Sequence, residues 1–299
     1  MKPNADYFAE LNRLLPKIVT KLKKVGIKKQ HLAFGGEGEV LKGRVPTDAN
    51  SEFLANRAMG DWAENLLSSA VQTALPKLKS IQYGNSDRMA AGEPGFKEFY
   101  LAGVEETRRY GKRPDLLLFA ADEKVPNELS TLGHLKTAPF VKRAIASLEV
   151  RSSKFEALKY MKFRETQRAD GNKSGRESPS FTVKVEDLVV VYRWLELNRM
   201  PQSYCQVFFD TVFAINFLDI FRLIASGEGF KIERPKNSQG KATIMIPITT
   251  GVPVGTVSVP DFEARHHVTK LGRHDAYVAP TGGKCVLDAE KMRPVLLPL

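Results

Sequence analysis

Cysteine is scarce in this chain of 299 residues: Cys205 and Cys285 are the whole complement. Two are too few for a disulfide framework, so a reducing cytoplasm is the expected setting. Long apolar runs are missing as well. The nearest approach to the roughly 18–20 residues of a membrane span runs from Val212 to Ala225, and Asn216, Asp219 and Arg222 break it. Residues from Lys2 to Asp6 are polar and carry no apolar core of a signal peptide, so neither a membrane nor a secreted protein is expected. Acidic residues are in deficit: 34 against 45 basic ones leaves a formal net charge of +11. That surplus bears on partners rather than on fold. Nucleic acid comes first, because neutralising phosphates releases counterions and favours a basic surface.

Hydrophobic residues at 42% and charged ones at 26% make an ordinary globular balance, which argues against a disordered chain. Phe8, Leu11, Leu14, Leu15, Ile18 and Leu22 follow a helical repeat, and six lysines with no acid lie between Lys17 and Lys29. This reads as an appended helical segment, either an arm along a DNA backbone or a solvated helix face, ended by Gly35, Gly36 and Gly38. Ser51 is placed to cap a helix from about Glu52 to Leu75 that buries Phe53, Trp62, Leu66, Leu67 and Val71. Strands are expected at Leu78–Tyr83, Arg113–Phe119 and Ile145–Arg151, with a Gly/Pro-rich loop after the first. The polar, aperiodic stretch 164–180 reads as a mobile loop able to order on DNA. A helix from Glu186 to Met200 stops before Pro201, an aromatic strand or tight hairpin covers Tyr204–Ile215, and a short helix covers Phe217–Ala225. Beyond Gly229, Ala242–Ile248 and Val254–Val259 are β-like.

Two of these strands carry charges that a buried strand tolerates poorly. Asp115 follows a proline and precedes Leu-Leu-Leu-Phe, and Glu149 sits within an apolar run. A buried carboxylate is costly unless it is paired or bound to a metal. Side chains alternate along a strand, so Glu149 and Arg151 share a face while Val150 packs on the other. If the two strands are neighbours, two carboxylates and one cation converge, which suits a hard divalent cation beside an anionic substrate. Each residue also has a plainer explanation: a turn cap for Asp115, a surface ion pair for Glu149 with Arg151, and a solvated helix position for Glu64.

Pro114-Asp115, 33 intervening residues and then Glu149-Val150-Arg151 resemble the PD-(D/E)XK nuclease pattern, with arginine where lysine is usual. Gly60-Asp61-Trp62-Ala63-Glu64, Gly111-Lys112-Arg113-Pro114-Asp115, Leu148–Ser153 and Gln206–Asp210 stand in the order found in type II restriction endonucleases, most like the AccI-type group. The similarity covers about residues 51–228.

The resemblance implies an α/β fold with a restriction-endonuclease-like mixed central sheet flanked by helices. It also implies a Mg²⁺-dependent phosphodiesterase site and a homodimer acting on double-stranded DNA. The organisation expected is a basic helical segment over 1–48, a catalytic core over 49–228 and a β-rich appendage over 229–299. Asp115 and Glu149 would hold the metal, with Glu64 a possible third carboxylate. Arg151 would stand in the catalytic-lysine position, where it stays protonated and acts electrostatically rather than as a base. Lys154 is the alternative, on the wrong strand face unless the strand ends at Ser152. In-line attack by a water whose pKa the cation lowers would leave 5′-phosphate and 3′-hydroxyl ends.

Base or phosphate contacts are expected from the segment holding Arg265, His266, His267, Lys270, Arg273 and His274, and more weakly from Asn85, Asp87 and Arg88. Zinc held by His266, His267, His274 and Cys285 would lack any recognisable spacing. The readings competing with a restriction enzyme are a repair or recombination nuclease without tight specificity and a non-catalytic DNA-binding protein of the same fold.

Overall fold

A computed structural model describes residues 5–28, 32, 50–84, 94–171, 178–234, 242–269 and 272–297. Its centre is a mixed sheet of seven strands. In spatial order these are β1 (Leu78–Gln82), β2 (Leu116–Ala120), β3 (Ala146–Ser152), β5 (Gln202–Val207), β6 (Thr211–Asn216), β9 (Val252–Val257) and β12 (Cys285–Leu287). Only the β3–β5 pair is parallel. The crossover between those two strands contains α5 (Ala157–Ala169), β4 (Ser180–Lys184) and α6 (Val185–Asn198), as a parallel neighbour requires a long connection. This is the α/β class, sheet and flanking helices expected from the sequence.

Alternation along the strands divides the core in two. Leu117 and Phe119 of β2 pack with α1 (Ala5–Lys24), α6 and α7 (Phe217–Ser226) on one face. Leu116, Leu118, Leu148 and Val150 pack with α2 (Ser51–Ala74) and α8 (Ala289–Leu296) on the other. The periodic residues of α1 lie in the first of these cores: Phe8, Leu11, Leu14, Ile18 and Leu22 are all buried. The helix is tied to α7 by a double contact of Arg222 with Glu10 at 2.6 and 3.0 Å. Its basic end also reaches α7, where the Lys21 ammonium donates to the Ser226 carbonyl at 3.1 Å. Gly35, Gly36 and Gly38 lie outside the described residues.

The N-cap of α2 is Asn50, not Ser51: the Asn50 side-chain oxygen accepts from the Phe53 N–H at 2.8 Å. Ser51 is the first helical residue, and its hydroxyl donates to Asp275 at 3.2 Å. Phe53, expected in the core, is exposed, and Leu54 takes the inward position.

The C-terminal region is rich in β structure, and it is distributed among three sheets. β9 and β12 complete the central sheet. β8 (Thr243–Pro247) joins β4 and β7 (Lys231–Glu233) in a three-stranded sheet. β10 (Asp261–Val268) and β11 (His274–Thr281) form a separate hairpin lying against α2.

The expected loop over 164–180 is corrected at its start. Residues 164–169 are the last turns of α5, whose first turn is held from a distance: Asp210 accepts from the N–H groups of Ala157 and Leu158 at 2.8 and 2.7 Å. Residues 172–177 lie outside the described set.

Candidate active site

Asp115 stands immediately before β2, and Glu149 is the fourth residue of β3. Antiparallel pairing sets Leu116 opposite Leu148, so Asp115 and Glu149 are the next residues along, one on each strand. By alternation both project to the face away from Leu116 and Leu148. The contact is direct through the backbone: an Asp115 carboxylate oxygen accepts from the Val150 N–H at 2.6 Å.

Glu149 is only 1% exposed. One of its oxygens, Oε1, is shared by two cations, the Arg151 guanidinium at 2.7 Å and the Lys112 ammonium. The same Arg151 nitrogen reaches Asp187, in the first turn of α6, at 3.3 Å. The pairing of Glu149 with Arg151 is therefore buried rather than the surface ion pair considered above. Three buried polar atoms here have no hydrogen-bond partner among the described residues: Glu149 Oε2, Arg151 Nε and the hydroxyl of Tyr204. Tyr204 is the β5 residue in register with Glu149, and its ring stacks on Phe217 at 6.0 Å.

Glu64 comes from α2, partly buried. Burial pushes its pKa up to about 8, and the charges of Asp115, Asp61 and Glu149 push the same way. Burial, then the charge of Glu149, raises Asp115 to about 7. Both values lie above the ordinary carboxylate range. Burial alone would depress the Lys112 ammonium, but Glu149, Asp187 and Asp115 outweigh it and raise its pKa. Glu149, ahead of Asp187, likewise raises Arg151 further.

A stability prediction follows from the sign of these shifts. A carboxyl group whose native pKa exceeds its unfolded pKa contributes stability at low pH, and loses it as pH rises through the native value. In EDTA, the melting temperature should therefore fall between about pH 5 and 8 by several degrees, roughly 3–6 °C. The fall should be much smaller in a Glu64→Gln, Asp115→Asn double variant followed by differential scanning fluorimetry. An unchanged pH dependence in that variant would show that these carboxyls titrate normally.

The donor set fits a hard divalent cation. Glu149 Oε2 is a buried acceptor with nothing to accept from, and Asp115 brings a second carboxylate from the neighbouring strand. Among the described residues no three His, Cys, Asp or Glu side chains form a ready-made metal cluster. Mg²⁺ does not require one, since it is commonly bound by one or two carboxylates, with substrate phosphate and water completing its octahedron.

Lys154 is exposed and lies past the end of β3, which stops at Ser152. The residues that the sequence motif did not single out are Lys112, Asp187 and Tyr204. Lys112 lies within the quoted Gly111–Asp115 motif, while the other two enter only through tertiary packing. Asp210, in the last quoted motif, caps α5.

The segment expected to read bases forms the β10–β11 hairpin. Arg265, His266, Arg273 and His274 are exposed, and His267 is half-buried. The rings of His266 and His274 meet at 2.8 Å across the strands. Arg265 pairs with Glu263 at 2.6 Å and Arg273 with Asp275 at 2.9 Å. Lys270, Asn85, Asp87 and Arg88 lie outside the described residues.

A mixed sheet thus brings two carboxylates and two cations together at the junction of adjacent strands. The family model described as AccI restriction endonuclease matches residues 19–173 and 160–297, most of the chain. The chain belongs to the AccI restriction endonuclease family. Membership makes it a site-specific nuclease with DNA as substrate. No curated protein and no solved structure matches it. Among the described residues no helix is long and apolar enough to cross a membrane.

Proposed function

We propose that this restriction endonuclease hydrolyses phosphodiester bonds in both strands of a short, specific sequence in double-stranded DNA. It does so as a Mg²⁺-dependent homodimer in the cytoplasm, leaving 5′-phosphate and 3′-hydroxyl ends. The observation that carries this reading is the adjacency of Asp115 and Glu149, with Glu149 Oε2 buried and unpaired.

Asp115 and Glu149 would hold the cation, and Glu64 of α2 would be a third carboxylate nearby. A divalent cation there supplies a lowered pKa for water and neutralises charge on the phosphate. The chain's own contribution is positional and electrostatic. Arg151 stays protonated at any accessible pH and fixes Glu149 against Asp187. Water attacks phosphorus in line and gives up a proton to solvent, the bond from phosphorus to the 3′ oxygen breaks, and that oxygen takes a proton from solvent.

Arg265, His267, Arg273 and His274 on the hairpin, with Lys270, Asn85 and Arg88, are the proposed DNA-contacting set. The exposed pair of Arg265 with Glu263 suits this role. Such a pair is worth only about 0–1 kcal/mol, so this arginine can be redirected to phosphate or guanine at small cost. Twofold symmetry would match a palindromic site, with one catalytic centre per strand.

Incubating the protein with phage DNA, in Mg²⁺ or in EDTA, tests the reading. Discrete fragments in Mg²⁺ alone are expected. A smear would favour a nuclease without tight specificity, and intact but retarded DNA would favour a non-catalytic binder.

A further inference from the structure

We propose that Lys112 is the catalytic lysine of this chain, delivered from the segment ahead of Asp115 rather than from the strand of Glu149. The inference rests on the site reading above and deepens it. The sequence leaves the position two residues after Glu149 to arginine, and offers Lys154 as the only lysine nearby on the same strand. The fold puts Lys154 in solvent beyond the end of β3. Arg151 is committed twice over, to Glu149 at 2.7 Å and to Asp187 at 3.3 Å, which makes it a positioning residue.

Lys112 meets the requirements that these two miss. Its ammonium touches Glu149 Oε1, and 28% of its side chain is open to solvent. Its backbone is tightly held. The Lys112 N–H donates to the Val190 carbonyl of α6 at 3.0 Å. Gly111 just before it has φ +85° and sits so close to α6 that a Cβ would lie 2.3 Å from the Trp194 nitrogen. Only glycine fits there, and it aims the next residue at Glu149. Lys112 and Asp115 then leave the same short segment, so one stretch of chain carries both a carboxylate and an ammonium into the site.

Two cations on Oε1 leave Oε2 as the free acceptor, so charge compensation and ligand capacity are divided between the two oxygens of one carboxylate. In the reaction, the ammonium keeps its protons and donates hydrogen bonds to the non-bridging phosphate oxygens. Negative charge grows on these as the water oxygen bonds to phosphorus, its proton passing to solvent, and the 3′ oxygen leaves and takes up a proton from solvent.

The test compares Lys112→Met, Lys112→Arg and Glu149→Gln proteins with wild type in single-turnover cleavage. DNA retardation in EDTA and the melting temperature with and without Mn²⁺ serve as readouts independent of activity. Lys112→Met should lose at least about 100-fold in cleavage rate. It should keep DNA affinity within about threefold and retain the Mn²⁺-dependent rise in melting temperature. Lys112→Arg should lose at least about tenfold, because a planar guanidinium cannot take the point position of an ammonium. Lys112→Met cutting within about threefold of wild type would overturn the proposal while leaving the Glu149 site intact. Should Lys112→Met not fold, a folded Lys112→Arg protein cutting at the wild-type rate would overturn it equally. Undiminished cutting by Glu149→Gln would instead strike the site reading beneath it.

Discussion

Glu149→Gln abolishes DNA cleavage, with the single-turnover rate falling at least about a thousandfold while retardation of DNA in EDTA is unchanged within about threefold. Glutamine has the size and shape of glutamate, so the 1%-exposed position is not emptied. What disappears is the negative charge that holds Lys112 and Arg151 and leaves Oε2 as a charged ligand. Breaking a buried ion pair from one side typically costs about 3 kcal/mol or more. The melting temperature should therefore fall as well, and cleavage is to be measured where both proteins are folded. Removing a carboxylate also relieves repulsion of phosphate, which is why binding persists. Cleavage at the wild-type rate would exclude Glu149 from the chemistry.

Arg151→Ala is the second large effect: cleavage drops by at least about 100-fold, whereas Arg151→Lys keeps it within about 30-fold of wild type. Alanine frees Asp187 and leaves Glu149 oriented by Lys112 alone. Lysine retains a cation at the end of β3, as a compact ammonium in place of the guanidinium nitrogen that touches both carboxylates. Single-turnover rates for both variants decide this. Equal losses in the two would mean that guanidinium geometry, not charge, is what the site uses.

The parts of this architecture that could be read from the sequence are those with a strong local period or a buried charge. β2, β3, the β5–β6 hairpin, α6 and α7 are short apolar or aromatic runs bounded by turn residues, and most of their apolar residues are buried. The carboxylates stood out because Asp115 and Glu149 sit where an apolar strand should have none. Elements that bury little gave no such signal. α3 (Phe96–Tyr110) has no buried residue at all, and in the β10–β11 hairpin β10 is exposed along most of its length. α5 buries only Ala157 and Arg164, and it starts where it does because Asp210, from the turn between β5 and β6, caps it. A cap supplied from the far side of a crossover cannot be read from local pattern.

The same limit applied within the site. Asp187 reaches Arg151, and Tyr204 stands beside Glu149, only through the packing of α6 and the parallel pairing of β5. Lys112 was within a quoted motif, yet nothing in its neighbours says that its side chain turns inward. That direction is set by Gly111 meeting α6, a contact between segments about 80 residues apart.

Anomalous diffraction from crystals of the whole protein grown with Mn²⁺ and uncut DNA is the most direct measurement of how this enzyme works. A manganese peak bridging the Asp115 carboxylate and Glu149 Oε2, next to a backbone phosphate, is the predicted result. Manganese coordinated by other side chains, with this pair still holding only Lys112, Arg151 and the Val150 N–H, would contradict it.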